Sequence, residues 1–145
     1  MKKKQPVPPP ALDGTTPLAN GNALLPYLVY PSPVKTITVT PDKDYNGAHH
    51  YLMANSKGFK NGEVEYTQNM TEIQFVKKNE DGTMVEGIQD EQLVYILLDR
   101  TRKLNARFPS EHNEQKIHGL EMFLGACKAR IMDRMNRGVM GEHQK

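Results

Sequence analysis

The sequence contains little of what usually stabilises a small domain. Its 145 residues include no tryptophan, only 7% aromatic residues and one cysteine, Cys127. A single cysteine cannot form an internal disulfide, so a disulfide-based fold is excluded and a reducing compartment is expected. Hydrophobic residues make up 37% of the chain, and the mean hydropathy is −0.66. This content is low for a domain that buries its own core, which predicts a flexible segment or an oligomer interface.

Long apolar runs and a strong excess of one charge are also missing. No run approaches the roughly 18 apolar residues of a membrane helix. Prolines follow the lysines of residues 1–4, where a signal peptide would be apolar. The 19 basic and 17 acidic residues give a net charge of +2, which disfavours charge-driven binding of nucleic acid. We expect a soluble cytosolic protein with neither a membrane nor a nucleic acid as its partner.

The sequence carries no motif for catalysis, a metal or a cofactor. It has no Gly-x-Ser-x-Gly, no Walker loop and no pair of Cys and His at telling spacing. Cys127 falls on an apolar helix face, where a buried structural thiol is the usual explanation. His49 and His50 are adjacent on a predicted strand, so they point to opposite faces and cannot easily share a metal ion. We therefore expect a protein that is not an enzyme, with these histidines packed or in contact with a ligand.

Residues 1–34 contain eight of the ten prolines. Because proline lacks the backbone donor and holds its predecessor extended, neither a helix nor a central strand is expected there. A flexible arm is predicted. The alternative is that the apolar and aromatic residues between Leu24 and Tyr30 dock on a neighbouring subunit.

Residues 35–88 have the alternation and the turn residues of a small antiparallel sheet. Strands are predicted at residues 35–40, 48–54, 63–67, 71–78 and 83–87. The second of these is expected to end at residues 55–58, where Asn, Lys and Gly occur. Asn61-Gly62 and Asp81-Gly82 predict tight hairpin turns.

Residues 89–145 predict two antiparallel helices joined by a short connection. The first is expected to begin at Asp90 as N-cap and to stop before Pro109, and the second to run from the cap Ser110 to Gly138. The apolar stripe of the first helix is predicted to consist of Leu93, Ile96, Leu97 and Leu104, widened by Val94 and Leu98. That of the second consists of Ile117, Leu120, Leu124, Cys127 and Ile131. The fold class is therefore α+β: the arm, then one domain of residues 35–145 made of a sheet (35–88) and a helical hairpin (89–145).

Three arginines gather at the end of the second helix. Arg130, Arg134 and Arg137 are spaced by four and three residues, so they share one helical face. One interpretation is a solvated face that meets the negative end of the helix dipole. The other is an anion site, because residues 138–141 include two glycines whose backbone can approach phosphate groups.

These residues resemble a family of phage anti-defence nucleotide sponges. The matching pattern is Glu91-x-Leu93, Leu97-Leu98-Asp99-Arg100, Leu104-Asn105, Phe108-Pro109, Glu111-x-Asn113, Ile117, Leu120-Glu121, Arg130, Asp133-Arg134 and Arg137-Gly138-Val139-x-Gly141. It looks like the helical hairpin shared by the anti-CBASS cyclic-oligonucleotide sponge and the first Thoeris anti-defence protein. The Thoeris type carries strands before the hairpin, so the chain is closer to that type.

The resemblance implies non-catalytic sequestration of immune second messengers in the host cytoplasm. The ligands would be cyclic ADP-ribose isomers and, at separate sites, cyclic di- and trinucleotides, held by a homo-oligomer such as a dimer or hexamer. The implied trinucleotide residues are Arg134, Arg137, Gly138, Val139 and Gly141. Those implied for the ADP-ribose ligand are Arg100 and Arg130 for phosphate, Asn105 and Asn113 for ribose or base, and Phe108 for stacking. Asn113 has an equal alternative as a first-turn helix residue. The family usually has threonine after the last glycine, whereas Glu142 places a carboxylate there.

A structural or adaptor protein of a phage is the main rival interpretation. In that case the proline-rich arm would grip a partner, and its deletion would abolish the interaction. A sponge would keep its ligand without the arm.

Overall fold

The computed structural model divides the chain into two compact units, residues 1–88 and 89–145. It describes residues 15–26, 35–42, 44–45, 47–67 and 70–138. The first unit is a curled antiparallel sheet and the second is a helical hairpin. The predicted α+β class is confirmed.

Six strands form the main sheet. They are β1 (Thr16–Pro17), β2 (Ala23–Leu24), β3 (Lys35–Val39), β4 (His50–Lys60), β5 (Glu63–Tyr66) and β6 (Thr71–Gln74). The order is β1-β2-β3-β4-β5, with β6 paired to the first half of β4, and every pairing is antiparallel. Two further strands, β7 (Lys77–Lys78) and β8 (Met84–Val85), form a separate hairpin around the predicted Asp81-Gly82 turn.

Strand β4 is longer than predicted, because it continues through Asn55 and Gly58 to Lys60. A bulge between Ser56 and Gly58 shifts its register against β5, and the Gly58 N–H donates to Ser56 Oγ at 2.9 Å. Gly58 has a φ of 133°, which glycine tolerates at such a bulge. The sequence signal that predicted a strand end therefore marks a bend within one strand.

The prediction of a flexible arm is wrong for residues 15–26, which form the β1–β2 hairpin. Leu24 is 1% exposed and packs in a core cluster with Leu18, Phe59 and Val64. The free energy gained by this burial offsets the conformational entropy that the segment loses when it becomes ordered. Pro17 is compatible with the sheet because β1 lies at its edge and pairs with β2 alone in the strand order. Residues 1–14 and 27–34 lie outside the described residues, and with them most of the segment proposed to dock on a neighbour.

The first and fifth strands of the sheet are brought together by its curl. The Ala19 N–H donates to the Gly62 carbonyl at 2.9 Å, so the β1–β2 loop sits on the β4–β5 turn. Asn61 and Gly62 have φ values of 54° and 76°, which confirms the two-residue turn predicted there. A Cβ on Gly62 would lie 2.8 Å from Ala19 Cβ, so this turn requires glycine for space as well as conformation.

Helices α1 (Asp90–Arg107) and α2 (Glu111–Arg137) form the hairpin. The N-cap of α1 is Gln89 rather than Asp90, and the Gln89 N–H donates to Gln92 Oε1 at 2.8 Å. The N-cap of α2 is Ser110, as predicted, with its Oγ accepting from the Asn113 N–H at 3.1 Å. Gly138 ends α2 in the left-handed conformation with a φ of 70°, as its position in the sequence predicts.

The apolar stripe predicted for α1 is wrong in its centre. Val94 and Leu98 are 8% and 3% exposed, whereas Ile96 and Leu97 are 62% and 49% exposed. The buried residues of α1 are those that face α2 in the seam between the helices. The predicted stripe lies to one side of that seam. In α2, the predicted seam residues are half-buried up to Cys127.

Ile131, the last predicted seam residue of α2, is 44% exposed. This follows from length, because α2 has 27 residues and α1 has 18. The last two turns of α2 therefore run past the start of α1.

Candidate functional site

Two of the residues implied by the resemblance hold the connection between the helices. Asn105 donates from Nδ2 to Glu114 Oε1 at 2.9 Å, and its Oδ1 accepts from the Ser110 N–H at 3.1 Å. Asn113 donates from Nδ2 to the Phe108 carbonyl at 3.2 Å. Both asparagines thus have structural partners, which favours the structural interpretation of Asn113.

Phe108, the implied stacking residue, lies in the same connection with 64% of its surface exposed. It is the C-cap of α1, where its N–H donates to the Leu104 carbonyl. The Arg107 guanidinium carbon lies 5.3 Å from the centre of its ring, a cation–π distance. An exposed ring with a cation beside it is suited to stacking on a base.

All of the implied phosphate residues except Arg100 lie at the other end of the hairpin, in the last turns of α2. Arg130 is exposed, Arg134 is half-buried, and Arg137 pairs with Asp133 at 3.1 Å. Gly138 follows them, and a Cβ placed on it would meet nothing within 4 Å. Val139 and Gly141 lie outside the described residues, as does Glu142. The structure therefore brings the arginines of α2 together next to an accessible glycine.

One protomer does not bring the two groups into one site. Asn113 and Arg134 are 21 positions apart on one helix, which corresponds to about 31 Å along its axis. Arg100 is exposed in the middle of α1 and belongs to neither end. A ligand that touched both ends would need a second, antiparallel copy.

One broad face of the hairpin is apolar. Arg102 Nη2 lies 3.4 Å from Glu121 Oε1, which marks one face. Helical periodicity places Leu97 and Leu104 of α1 and Phe123 of α2 on the opposite face. These three are 49%, 40% and 42% exposed. Exposed apolar side chains on one face of a helix pair are typical of an interaction surface.

Cys127 is half-buried against α1. Burial raises the pKa of its thiol, and a hydrogen bond with the Glu91 carboxylate raises it further. A thiol held in its neutral form is a poor nucleophile, which agrees with the structural role predicted for this residue.

The sheet unit contains a charged cluster that the sequence did not reveal. Lys77 Nζ lies 2.5 Å from Asp42 Oδ2 and 3.8 Å from Asp44 Oδ2, and His49 Nδ1 lies 3.3 Å from the same Asp42 oxygen. The hydrogen bond from Lys77 lowers the pKa of Asp42 from 3.8 to about 2, and the Lys77 pKa is raised by the same bond. These contacts link Asp42 and Asp44 to Lys77 of β7, and His49 to Asp42.

A second set of polar side chains forms a line of hydrogen bonds from the end of β3 across β4 to β6. Thr40 Oγ1 lies 2.5 Å from His50 Nδ1, and His50 Nε2 lies 3.0 Å from Glu72 Oε1. We call these three residues the Thr–His–Glu row. His49 and His50 thus contact different groups, as alternation along a strand predicts. The row was missed because its members come together through strand register, which the sequence alone does not specify.

Clustered metal ligands and membrane-spanning helices are both absent from the part of the chain that the structure describes. In that part, no three His, Cys, Asp or Glu side chains gather closely enough to hold a metal ion. Neither α1 nor α2 combines the length and the apolar character needed to cross a bilayer.

Comparison with known proteins gives no assignment. No protein-family model matches the chain, and no curated protein matches it significantly.

Proposed function

We propose that this protein is a phage anti-defence sponge that binds nucleotide second messengers in the host cytoplasm without cleaving them. Cyclic ADP-ribose isomers are the first ligand class, and cyclic di- and trinucleotides are the second. The observation that carries the proposal is the helical hairpin, which follows a sheet and ends in three arginines and the left-handed Gly138. This is the architecture that the sequence resemblance implies.

Charge at the end of α2 supports the choice of an anionic ligand. Arg130, Arg134 and Arg137 lie within two turns, and Asp133 is the one acidic side chain between them. Arginine forks form paired hydrogen bonds with phosphate oxygens. Three guanidinium groups close to an accessible backbone therefore suit a pyrophosphate or phosphodiester.

A homo-oligomer is part of the proposal, because one protomer separates its candidate residues by about 31 Å along α2. An antiparallel copy would place the Phe108 end of one hairpin beside the arginine end of another. The apolar face formed by Leu97, Leu104 and Phe123 is the surface available for that contact.

The oligomer is tested by charging this face. Leu97→Lys should lower the mass measured by sedimentation towards that of a monomer, because a desolvated lysine opposes the contact. Tyr95→Lys is the matched control: Tyr95 is 60% exposed and lies two helical turns before Arg102, on the other face. A wild-type protein that sediments as a monomer at all concentrations would exclude the shared site.

Ligand binding is tested with a thermal-shift panel of cyclic ADP-ribose isomers and cyclic oligonucleotides. A ligand at 100 times its Kd stabilises the folded state by about 2.7 kcal/mol. Arg137→Ala should weaken binding at least about tenfold, or about 1.4 kcal/mol. Lys103→Ala is the matched control, because Lys103 forms the same kind of i,i+4 ion pair, with Asp99, on an exposed face of α1.

Sequestration is distinguished from catalysis by recovering the ligand. The protein is incubated with a messenger that shifts its melting temperature and is then heat-denatured, and the released compound is analysed. Intact messenger supports a sponge, whereas a cleaved product would replace the proposal with an enzyme. Absence of any shift across the whole panel would refute nucleotide binding and leave the hairpin as a shared fold only.

A further inference from the structure

The Thr–His–Glu row joins a hydroxyl, an imidazole and a carboxylate in one line of hydrogen bonds. Thr40 follows directly after β3, His50 begins β4 and Glu72 lies on β6, so the row joins the end of β3 to two strands. The Thr40 N–H donates to the His50 carbonyl at 3.0 Å, which fixes the first two residues side by side. Glu72 pairs with Leu52, one step along the same face from His50.

Both ring nitrogens of His50 have hydrogen-bond partners, and these partners determine which nitrogen can accept a proton. If Nε2 carries the proton that it donates to Glu72 Oε1, the lone pair of Nδ1 points at Thr40 Oγ1. A carboxylate that fixes the tautomer of a histidine, with a hydroxyl on the other nitrogen, is the arrangement that activates an alcohol nucleophile. The row therefore places a candidate base beside the Thr40 hydroxyl and a carboxylate on the other nitrogen of that base.

We propose that Thr40 is the nucleophile of an acyl-transfer site, with His50 as its general base and Glu72 as the residue that positions His50. The substrate class is a small neutral carboxylic ester. The Glu72 carboxylate in the row disfavours an anionic substrate. Thr40 is half-buried and the His50 side chain is 32% exposed, so part of the row faces solvent.

The reaction balances with water as the second reactant. Thr40 Oγ1 bonds to the ester carbonyl carbon while its proton moves to His50 Nδ1. The bond from that carbon to the alkoxy oxygen breaks, and the alkoxide takes the proton from His50. Water then attacks the acyl-threonine, with its proton passing through His50, and releases the carboxylic acid and free Thr40. This activity uses the sheet unit and is separate from the nucleotide binding proposed for the helical unit.

The test is hydrolysis of 4-nitrophenyl acetate by the full chain. Thr40→Val and His50→Gln should each lower kcat/KM about 100-fold, the lower end of what a positioned base contributes. Thr40→Ser should retain most of the activity because it keeps the hydroxyl. Glu72→Gln should lower kcat with KM unchanged and displace the pH profile, since Glu72 acts through His50. Thr71→Val, at an exposed position on the same strand as Glu72, should change nothing.

The acyl intermediate supplies a second readout. Mass spectrometry of a quenched reaction should find one acetyl group on the peptide that contains Thr40, and none there in Thr40→Val. Full activity in Thr40→Val, acetylation only at other residues, or wild-type hydrolysis no faster than that of His50→Gln would each overturn the proposal. Circular dichroism of every variant separates loss of chemistry from loss of fold. If Thr40→Val loses ester hydrolysis but keeps the nucleotide-induced thermal shift, the hydrolytic site is separate from nucleotide binding. A failure of one proposal then says nothing about the other.

Discussion

The two units differ in where they place their apolar side chains. Six of the eight buried apolar residues of the described chain lie in the sheet unit, and α2 contains none. The sheet unit thus closes a small core of its own, whereas Val94 and Leu98 are the only buried apolar residues in the described part of the hairpin, and Leu97, Leu104 and Phe123 remain 40–49% exposed. A helix gains most of its stability from packing its apolar face, so the hairpin is the unit that depends on something beyond itself.

Truncating the sheet core should cause the largest loss of stability, and the loss should be confined to the sheet unit. Leu24→Ala removes a side chain that is 1% exposed and should destabilise the sheet unit by about 2–5 kcal/mol. Hydrogen exchange should then accelerate in β2 to β5 while α1 and α2 keep their protection. Equal loss of protection in both units would show that they unfold as one.

Truncating the seam between α1 and α2 should cause a loss of stability that is comparable or slightly smaller. Leu98→Ala should lower helix stability by about 2–5 kcal/mol because Leu98 is 3% exposed against α2. Leu104→Ala is the control. Leu104 is 40% exposed, so its truncation in a monomer should cost less than about 1 kcal/mol. The measurement is the denaturation midpoint by circular dichroism. A loss from Leu104→Ala that grows with protein concentration would instead identify burial in an oligomer.

The charged cluster predicts an acid sensitivity confined to the sheet unit. Since the pKa of Asp42 falls from 3.8 to about 2 on folding, its ion pair with Lys77 stabilises the fold above pH 3.8. That contribution is lost as the pH falls from 3.8 towards 2. Asp42→Asn should remove this part of the pH dependence when urea midpoints are compared across the range. Parallel curves for wild type and variant would contradict the assignment to Asp42.

Removing a helix cap should produce the smallest effect. Ser110→Ala should destabilise α2 by about 1 kcal/mol, because the Asn113 N–H loses its acceptor. Ser110→Asp keeps an acceptor and should be close to wild type. A thermal melt followed by helical circular dichroism compares the two variants, and equal losses would argue against the cap.

The helical hairpin was more predictable from the sequence than the sheet because its signals are local. Ser110, Pro109 and Gly138 act on the turn in which they stand, and each bounds a helix where predicted. The stripe of α1 was misassigned because Leu97 and Leu98 are equally apolar, and only the position of α2 decides which is buried.

The sheet was less predictable because its contacts are distant in sequence. The proline-rich composition correctly disfavoured helix in residues 15–26, but it could not reveal that Leu24 packs in one core cluster with Phe59 and Val64. Gly58 marked a bend rather than an end, since bulges depend on the paired strand. The Thr–His–Glu row likewise exists only once β3, β4 and β6 are in register.

The contact between Ala19 and Gly62 bears on how quickly each unit folds. It joins the β1–β2 hairpin to the turn between β4 and β5, so a long loop must close before the core cluster can be buried. The hairpin needs only neighbouring segments to meet across a short connection. Low contact order favours fast folding, so we expect α1 and α2 to form while the sheet is still open, and their apolar face to be available to other copies during that interval.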